Sequence, residues 1–523
     1  MFFPAGAHRF FFLFGVVSMG FGIMLGAVPT SVPQFILIIN WLLEGGFAEK
    51  WRRLRFNKIF WALELVFAIH LMGLLYTSDL DSGLKDLQIK LPLFILPLVF
   101  FSSNPLSKKE IVLTLQTFLM GCVVNTAWCL LYSFGLHENE IGRNTSRFMS
   151  HIRLGLYLNL GILICARLFF EEYSKRMKWT YVALTAYFVM VLFLLGLATG
   201  VVILSLLFVV ACIYGISKLK MVFKLGLLLI AIASVYASSN FVKRVYEQQL
   251  VPRDVPNNEI LKQSVSGNAY MHFDTAGHRE NGHYIHINIQ IDELQRTWKF
   301  RCPEDSFSHR TQHNMKRYES LIRYMAGLGL NKDSAGVMAL SNEDINNIKH
   351  DVPNHLFNSW SFMHQRVYEL VNEYDDFKSD RNINGNSVTM RYYFWKAALY
   401  SIKNNLWFGV GTGDVQMQME KSYLSSASPL VKEWYKRPHN QFLTITVALG
   451  LFGLTAFLYS LFYPPFKLKR LLSKVYFGFM LVYFISFLSE DTVETQAGVT
   501  FFAFFNTFLL AEAYFKRPQN PER

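Results

Sequence analysis

The chain has 523 residues, of which 52% are hydrophobic and only 17% are charged. This composition excludes an ordinary soluble domain, in which about a quarter of the residues are charged, and indicates that lipid is the main solvent. The net charge of +13 does not indicate a nucleic-acid partner, because most of the excess lies in short clusters between apolar runs.

Apolar runs that approach the length of a membrane span recur along the chain. A spanning helix needs about 20 predominantly apolar residues. Twelve runs fit this description, at 10–27, 31–46, 59–76, 90–102, 111–134, 151–170, 179–196, 198–216, 222–239, 441–463, 474–489 and 498–515. We interpret the first run as a retained span, because further hydrophobic segments follow it directly. The sequence therefore predicts an all-α polytopic membrane protein with about twelve transmembrane helices.

Lysine and arginine are concentrated in every second connection between these runs. The clusters lie at 50–58, 108–109, 175–178, 218–224, 467–474 and 516–517. The intervening connections near 77–89 and 135–150 are sparse in both residues, and 489–497 has neither. Because cytoplasmic loops of inner-membrane proteins carry the positive excess, we predict that the clusters face the cytoplasm and the intervening connections face the periplasm.

The polar stretch between spans nine and ten is too long for a passive turn. We divide the chain into spans one to nine (1–239), a large periplasmic loop domain (240–387), an interfacial helix with its turn (388–438) and spans ten to twelve (439–523). The loop is expected to form a small α+β domain, with a strand over 284–291 and helices near 314–328 and 355–373.

An amphipathic helix is predicted at 388–404. Its apolar residues share one helical face: Phe394, Trp395, Ala398, Leu399 and Ile402. Such a helix is typical of a segment that lies along the outer interface of the membrane.

Ionisable side chains from distant segments are predicted to meet at the periplasmic ends of the spans. They are His151 and Arg153 at span six, Arg391 on the interfacial helix, Arg437 and His439 before span ten, and Glu490, Asp491 and Glu494 after span eleven, with Thr199-Gly200 at the turn between spans seven and eight. Ionisable groups near hydrocarbon are costly and usually functional. Arginine suits a lipid diphosphate, and a histidine that titrates near neutrality can accept a proton from a hydroxyl.

Each of these residues also has a structural interpretation. Arg153 and Arg437 can extend to phospholipid headgroups, and a single histidine at a helix entrance is commonly structural. Glu490 and Asp491 can form a solvated loop or a helix cap.

Two other patterns do not indicate a ligand site. The glycine-rich segment 409–413 lacks the lysine of a nucleotide-binding loop, and we interpret it as a tight turn. His283 and His286, three residues apart on the predicted strand, point to opposite faces. No cysteine pair or helical His-Glu motif supports a metal, so we expect no metal and no cofactor.

The segments around these residues resemble the O-antigen ligase and polymerase superfamily. Residues 437–443 read Arg-Pro-His-Asn-Gln-Phe-Leu, and Gly-Leu-Phe-Gly follows at 450–453. Ser-Val-Thr-Met-Arg at 387–391 and Phe-Gly-Val-Gly-Thr-Gly-Asp at 408–414 resemble the segment before that histidine. Further similar stretches, in the versions of Bacteroidota-like bacteria, are 148–153, 489–491 and 496–498. The resemblance covers the twelve-span plan and the long outer loop, and it is strongest over 387–453.

This resemblance implies a metal-independent, inverting membrane glycosyltransferase of the GT-C type. Its donor would be a glycan on undecaprenyl diphosphate, and its acceptor a sugar hydroxyl of lipid A–core. By motif, His439 would be the base or acceptor-orienting group and Arg391 would bind the diphosphate. By their position rather than by a family match, Arg153 and Arg437 are further candidates for substrate binding. His151, Asn440, Glu490 and Asp491 complete the set of predicted substrate-binding residues. The sequence departs from the family at Thr199, where many members have arginine, and Arg153 is the candidate replacement.

Four other functions compete with a ligase. An O-antigen polymerase and a protein O-oligosaccharyltransferase use the same donor and differ only in the acceptor. A transporter or flippase would require ionisable groups at mid-membrane, where Glu64 and His70 in span three are the main candidates. A receptor or assembly scaffold would leave Arg391 and His439 without a role.

Overall fold

The computed structural model describes residues 4–132, 146, 148–216, 221–251, 260–273, 277–308, 316–350, 352–379, 381 and 383–517. The chain forms two compact units. One comprises Met1–Tyr214 with Asp380–Arg523, and the other comprises Gly215–Ser379.

Helices dominate the first unit. Before the second unit they are α1 (Ala5–Gly22), α2 (Ala27–Glu44), α3 (Phe47–Leu54), α4 (Lys58–Gly73), α5 (Leu80–Ser102), α6 (Lys108–Leu131), α7 (His151–Glu171), α8 (Lys175–Leu194) and α9 (Ala198–Ile216). The second unit contains α10 (Met221–Leu250), β1 (Arg279–Glu280), β2 (His283–Tyr284), α11 (Ile291–Arg301), α12 (Arg317–Gly327), α13 (Ser334–Ala339), α14 (Asn342–Lys349) and α15 (Phe362–Lys378). The first unit resumes with α16 (Thr389–Asn404), α17 (Val415–Ser425), α18 (Gln441–Leu468), α19 (Lys474–Ser489) and α20 (Gln496–Phe515).

Eight helices in the described ranges are long and apolar enough to cross a membrane. They are α1, α2, α4 with its 3-10 extension to Tyr76, α6, α7, α8, α18 and α20. Two shorter apolar helices lie at Ala198–Ile213 and Lys474–Ser489. The prediction of a helical polytopic membrane protein is therefore confirmed. The count of twelve spans stays a prediction, although all twelve predicted runs fall on helices.

Helix α20 lies at the centre of the first unit. Of the residues in its apolar, membrane-length stretch, 83% are buried. The reason is that α2, α5, α18 and α19 pack against it. Most of its residues are apolar, as expected for a helix that presents no face to solvent, and Thr500, Asn506 and Thr507 are buried polar exceptions. Phe501 stacks on Tyr157 of α7 with ring centroids 3.7 Å apart. The connection that precedes α20 is thereby held in a well-packed part of the molecule.

Helix α18 is broken at Gly450, which has a left-handed φ of +63°. A Cβ at this position would lie 2.2 Å from the carbonyl carbon of Trp407, so no side chain fits there. The break frees backbone groups that pair with the glycine-rich turn. Gly411 has a φ of +102° and donates its N–H to the carbonyl of Ala448 at 2.8 Å. Glycine is needed at these points for both the backbone angle and the close approach.

The glycine-rich turn itself is occupied by protein contacts. Its groups donate to protein acceptors through Val410 N to Val447 O, Gly411 N to Ala448 O, Thr412 Oγ1 to His70 O and Gly413 N to Thr77 Oγ1. These amides are therefore not available to cradle a phosphate. The interpretation as a tight turn is confirmed.

Helix α16 slants along α18. At its start, Arg391 contacts Glu490, which in turn contacts His439 just before α18 begins. Beyond its end, the carbonyl of Leu406 accepts a hydrogen bond from the N–H of Leu451 at 2.9 Å. These levels are about ten residues apart on α18, or roughly 15 Å at 1.5 Å per residue. Helix α16 therefore runs alongside the first part of α18, and its place at the membrane interface stays a prediction.

The second unit differs from the prediction at its strand. The observed strand is His283–Tyr284, which shares only Tyr284 with the predicted strand and pairs with Arg279–Glu280. The two-residue turn Asn281-Gly282 has φ values of +53° and +84°, which is the type I′ hairpin that an Asn-Gly pair favours. The strand does not continue, because the chain bends over 285–288 and Asn288 has a positive φ of +52°. Helices α12 and α15 lie where helices were predicted.

Candidate functional site

Three carboxylates lie within five consecutive residues of the connection between α19 and α20. Glu490, Asp491 and Glu494 lie here, with a 3-10 turn over Thr492–Glu494. All three side chains point into the protein and bind different partners.

Glu490 joins the two residues that were predicted to be catalytic. Its Oε1 accepts a hydrogen bond from Arg391 Nη2 at 2.8 Å, and its Oε2 lies 3.2 Å from His439 Nδ1. Arg391 also donates from Nε to the carbonyl of Ser489 at 3.3 Å. The side chains of Arg391 and His439 remain 25% and 35% exposed. The site therefore presents a guanidinium and an imidazole on either side of one carboxylate.

His439 is fixed by its backbone as well as by its ring. It has a left-handed φ of +49°, which is uncommon for a residue other than glycine. Asp491 holds this conformation, because its carboxylate accepts the N–H groups of His439 and Asn440 at 3.0 Å each and the Thr444 hydroxyl at 2.6 Å. The imidazole stacks on Phe394 with centroids 5.5 Å apart. Strained backbone of this kind persists only where neighbouring groups enforce it.

The pKa values of the site follow from these contacts. Burial by itself would lower the pKa of His439, but the hydrogen bond and negative charge of Glu490 outweigh it and raise the pKa. Burial would raise the pKa of Glu490, yet His439 and Arg391 hold it below its ordinary value. Burial raises the pKa of Asp491. The imidazole is therefore a stronger base than an equally buried histidine without Glu490 would be.

Glu494 belongs to a buried network that the sequence analysis missed. It accepts hydrogen bonds from Lys90 at 2.7 Å, Arg437 at 2.9 Å and Gln441 at 2.8 Å. Lys90 also bonds Asp86 at 2.6 Å, and its side chain is fully buried. The two cations hold the pKa of Glu494 well below its usual range, although burial opposes them. The network ties α5 to the connection that carries Glu490.

Lys90 is the first residue of the predicted fourth span, and the sequence analysis gave it no role. The available signal was its spacing from Asp86, one helical turn earlier, which places a lysine and a carboxylate on the same face. An ionisable residue inside an apolar helix is by itself a reason to look for such a partner.

The structure brings some predicted residues together and leaves others apart. Arg391, His439, Asn440, Glu490 and Asp491 form one contact group, and Arg437 joins it through the network around Glu494. Arg153 lies beside it, donating to the hydroxyl of Thr495 at 2.8 Å. His151 lies two residues before Arg153, in the first turn of α7.

The pair Thr199-Gly200 lies in the first turn of α9, not in the turn between helices where it was predicted. Gly200 packs against α7, where a Cβ on Gly155 would lie 2.9 Å from the Gly200 Cα. Its carbonyl accepts a hydrogen bond from Asn159 at 2.9 Å. This position serves helix packing, and the nearest arginine along α7 is Arg153.

Among the residues that the structure describes, no three His, Cys, Asp or Glu side chains are grouped so that they could hold a metal ion. His283 and His286 lie in the second unit and do not form such a group. The charged partners of the site are instead arginine, lysine and histidine.

The model of the O-antigen ligase family matches residues 148–458, which is more than half of the chain. The match includes Arg391 and His439 and ends within α18. No curated protein matches the chain. Its sequence from α7 to the broken helix places this polytopic membrane protein in the O-antigen ligase family.

Proposed function

We propose that this protein is an inverting glycosyltransferase that moves a glycan from undecaprenyl diphosphate to a sugar hydroxyl of lipid A–core at the periplasmic face of the inner membrane. The observation that carries the proposal is the shared carboxylate of Glu490, which places Arg391 and His439 side by side. The positive clusters on alternate connections support the periplasmic orientation.

Arg391 is the proposed diphosphate ligand. Its guanidinium donates to one carboxylate oxygen of Glu490 and to the carbonyls of Ser489 and Ser387. The side chain is partly exposed, so a diphosphate can compete with Glu490 for it. A planar guanidinium binds phosphate through two parallel hydrogen bonds. The diphosphate is already a good leaving group, and Arg391 stabilises the charge that grows on it as the bond to the anomeric carbon breaks. This role requires no metal.

His439 is the proposed general base. A carboxylate only accepts hydrogen bonds, so the Nδ1 that faces Glu490 carries the proton. Nε2 then holds the lone pair and can take the proton of the acceptor hydroxyl. The acceptor oxygen attacks the anomeric carbon from the face opposite the diphosphate, which inverts the configuration. Glu490 orients the ring and stabilises the imidazolium that forms.

The acceptor is tested by deletion of the gene in its native host, with lipopolysaccharide and glycoproteins analysed on parallel gels. We expect the whole glycan ladder to disappear from mature lipopolysaccharide. Caps of a single repeat would instead identify an O-antigen polymerase, and a change confined to glycoproteins would identify a protein O-oligosaccharyltransferase. Unchanged lipopolysaccharide and glycoproteins would contradict any glycan-transfer function.

The variant Glu490→Gln tests the contact between Glu490 and His439. Without the anion, the pKa of His439 falls, so the acidic limb of the pH–rate profile should move to lower pH. The maximal rate should fall about tenfold or more, because a positioned base contributes about 10²- to 10⁴-fold. Purified enzyme and a labelled donor provide the measurement, and Glu433→Gln, on an exposed loop, is the control. An acidic limb at the same pH as in the native enzyme would show that Glu490 does not raise the pKa of the catalytic base.

A further inference from the structure

An exposed apolar row runs along α16 from Arg391. Trp395 and Leu399 follow Arg391 at steps of four residues, so the three side chains lie one above another on the same face. Trp395 is 39% exposed and Leu399 is 57% exposed. The buried face of the helix is formed by other residues, which are Met390, Phe394, Ala397, Ala398 and Ser401. The row is thus not part of the protein core.

The row leads toward a second group of exposed rings. Trp407 and Phe408 follow the end of α16 and pack on Phe452 of α18, with centroids 6.0 and 5.1 Å apart. All three rings are more than half exposed. The carbonyl of Phe408 is fixed by the hydroxyl of Tyr76 at 2.6 Å. We call Trp395, Leu399, Trp407, Phe408 and Phe452 the aromatic track.

Because α16 slants along α18, the aromatic track extends along the axis of α18. One end of the track is at Arg391, which shares Glu490 with His439 at the start of α18. The other end is at Phe452, just past the break in that helix. The difference is about 15 Å along a helix that is long enough to span the membrane, which is about half the thickness of the hydrocarbon. A lipid whose diphosphate binds Arg391 can lay its chain along this row of side chains.

We propose that the aromatic track binds the polyprenyl chain of the donor. This inference rests on the proposed function, since it takes Arg391 as the diphosphate ligand. Lipid tails are as apolar as the track, so burial of apolar area gives no preference for one chain over another. Packing does give a preference: a methyl-branched, partly unsaturated chain fits against flat rings, and a chain whose headgroup is fixed nearby loses little further freedom. The track therefore selects polyprenyl diphosphates over phospholipids.

Photocross-linking tests the inference without turnover. The probe is undecaprenyl diphosphate that carries a diazirine in its chain and no glycan, and the full-length protein is held in nanodiscs of phosphatidylethanolamine and phosphatidylglycerol. We expect most cross-links to map to the aromatic track and to be displaced by unlabelled undecaprenyl diphosphate. Labelling spread over all lipid-facing helices, or displaced equally well by added phosphatidylglycerol, would overturn the inference.

A triple variant provides the matched comparison. Trp395→Ala, Leu399→Ala and Phe408→Ala together should reduce labelling and raise the KM for the donor by about five- to tenfold, through lost van der Waals contacts, with kcat unchanged. The control is Trp179→Ala on α8, which is 72% exposed outside the track. Monodisperse gel filtration confirms folding. An unchanged KM and unchanged labelling would contradict the proposal that the aromatic track binds the polyprenyl chain.

The two proposals fail in different ways. If the track is labelled but no glycan is transferred from any donor, the proposed function is wrong and the lipid site stands. If glycan is transferred but the label lies elsewhere, the function stands and the track is wrong.

Discussion

Replacing His439 with alanine is expected to abolish glycan transfer while the protein still inserts in the membrane. Among the described side-chain partners of Glu490, the imidazole is the one that can accept a proton, because the other partner is the cation Arg391. A positioned base contributes about 10²- to 10⁴-fold to the rate, so the variant should lose at least about a hundredfold. Transfer from a labelled lipid-linked donor to purified lipid A–core measures the loss.

A second variant separates chemistry from backbone strain. Position 439 has a left-handed φ, which alanine adopts less readily than histidine or asparagine. His439→Asn keeps this tolerance without supplying a base. It should therefore be as inactive as the alanine variant but better folded, whereas His350→Ala, at an exposed histidine of the second unit, should be fully active. Retained transfer by either variant at position 439 would remove His439 from the mechanism.

Arg391→Lys is expected to reduce kcat/KM about ten- to a hundredfold although the charge is kept. Arg391 uses Nε and Nη2 in two directions at once, toward Ser489 and Glu490, and an ammonium group cannot reproduce this fork. Hydrogen bonds to charged groups contribute about 1.5–3 kcal/mol each, and the loss of one accounts for a change of this size. Steady-state kinetics with varied donor concentration provide the measurement.

The control for this variant is Arg296→Lys, at an exposed arginine on α11 that bonds only its own helix in the contacts described here. Its activity should match that of the native enzyme. If Arg391→Lys were equally active, Arg391 would be a residue that extends to phospholipid headgroups, which is the structural interpretation that its position also permits.

Sequence reasoning was most successful where one periodic signal dominates. The apolar runs predicted helices because each span must satisfy its backbone internally and face lipid with apolar side chains. The alternation of lysine and arginine then placed Arg391, His439 and Glu490 on the same predicted side of the membrane. It did not predict which atoms meet, since the segments are up to about a hundred residues apart and pair through individual side chains rather than through a repeating backbone pattern.

Sequence reasoning failed where distant packing decides a local conformation. The strand predicted over 284–291 stops at Tyr284, because the chain bends over 285–288 and Asn288 has a positive φ. Lys90 received no role from the sequence, and only the fold shows that Glu494, far along the chain, is its partner. Gly450 was read as part of a continuous span, whereas the approach of Trp407 breaks the helix there.

The amino-acid sequence by itself determined that this protein is a helical membrane protein and which short segments carry its arginine and histidine. It could do so because hydrophobicity and charge act locally, residue by residue, against lipid and water. Only the tertiary structure decided that Arg391 and His439 share one carboxylate, that Asp491 holds His439 in a strained conformation, and that α16 descends along α18. These features depend on contacts between segments whose geometry is set by the packing of the whole helical unit.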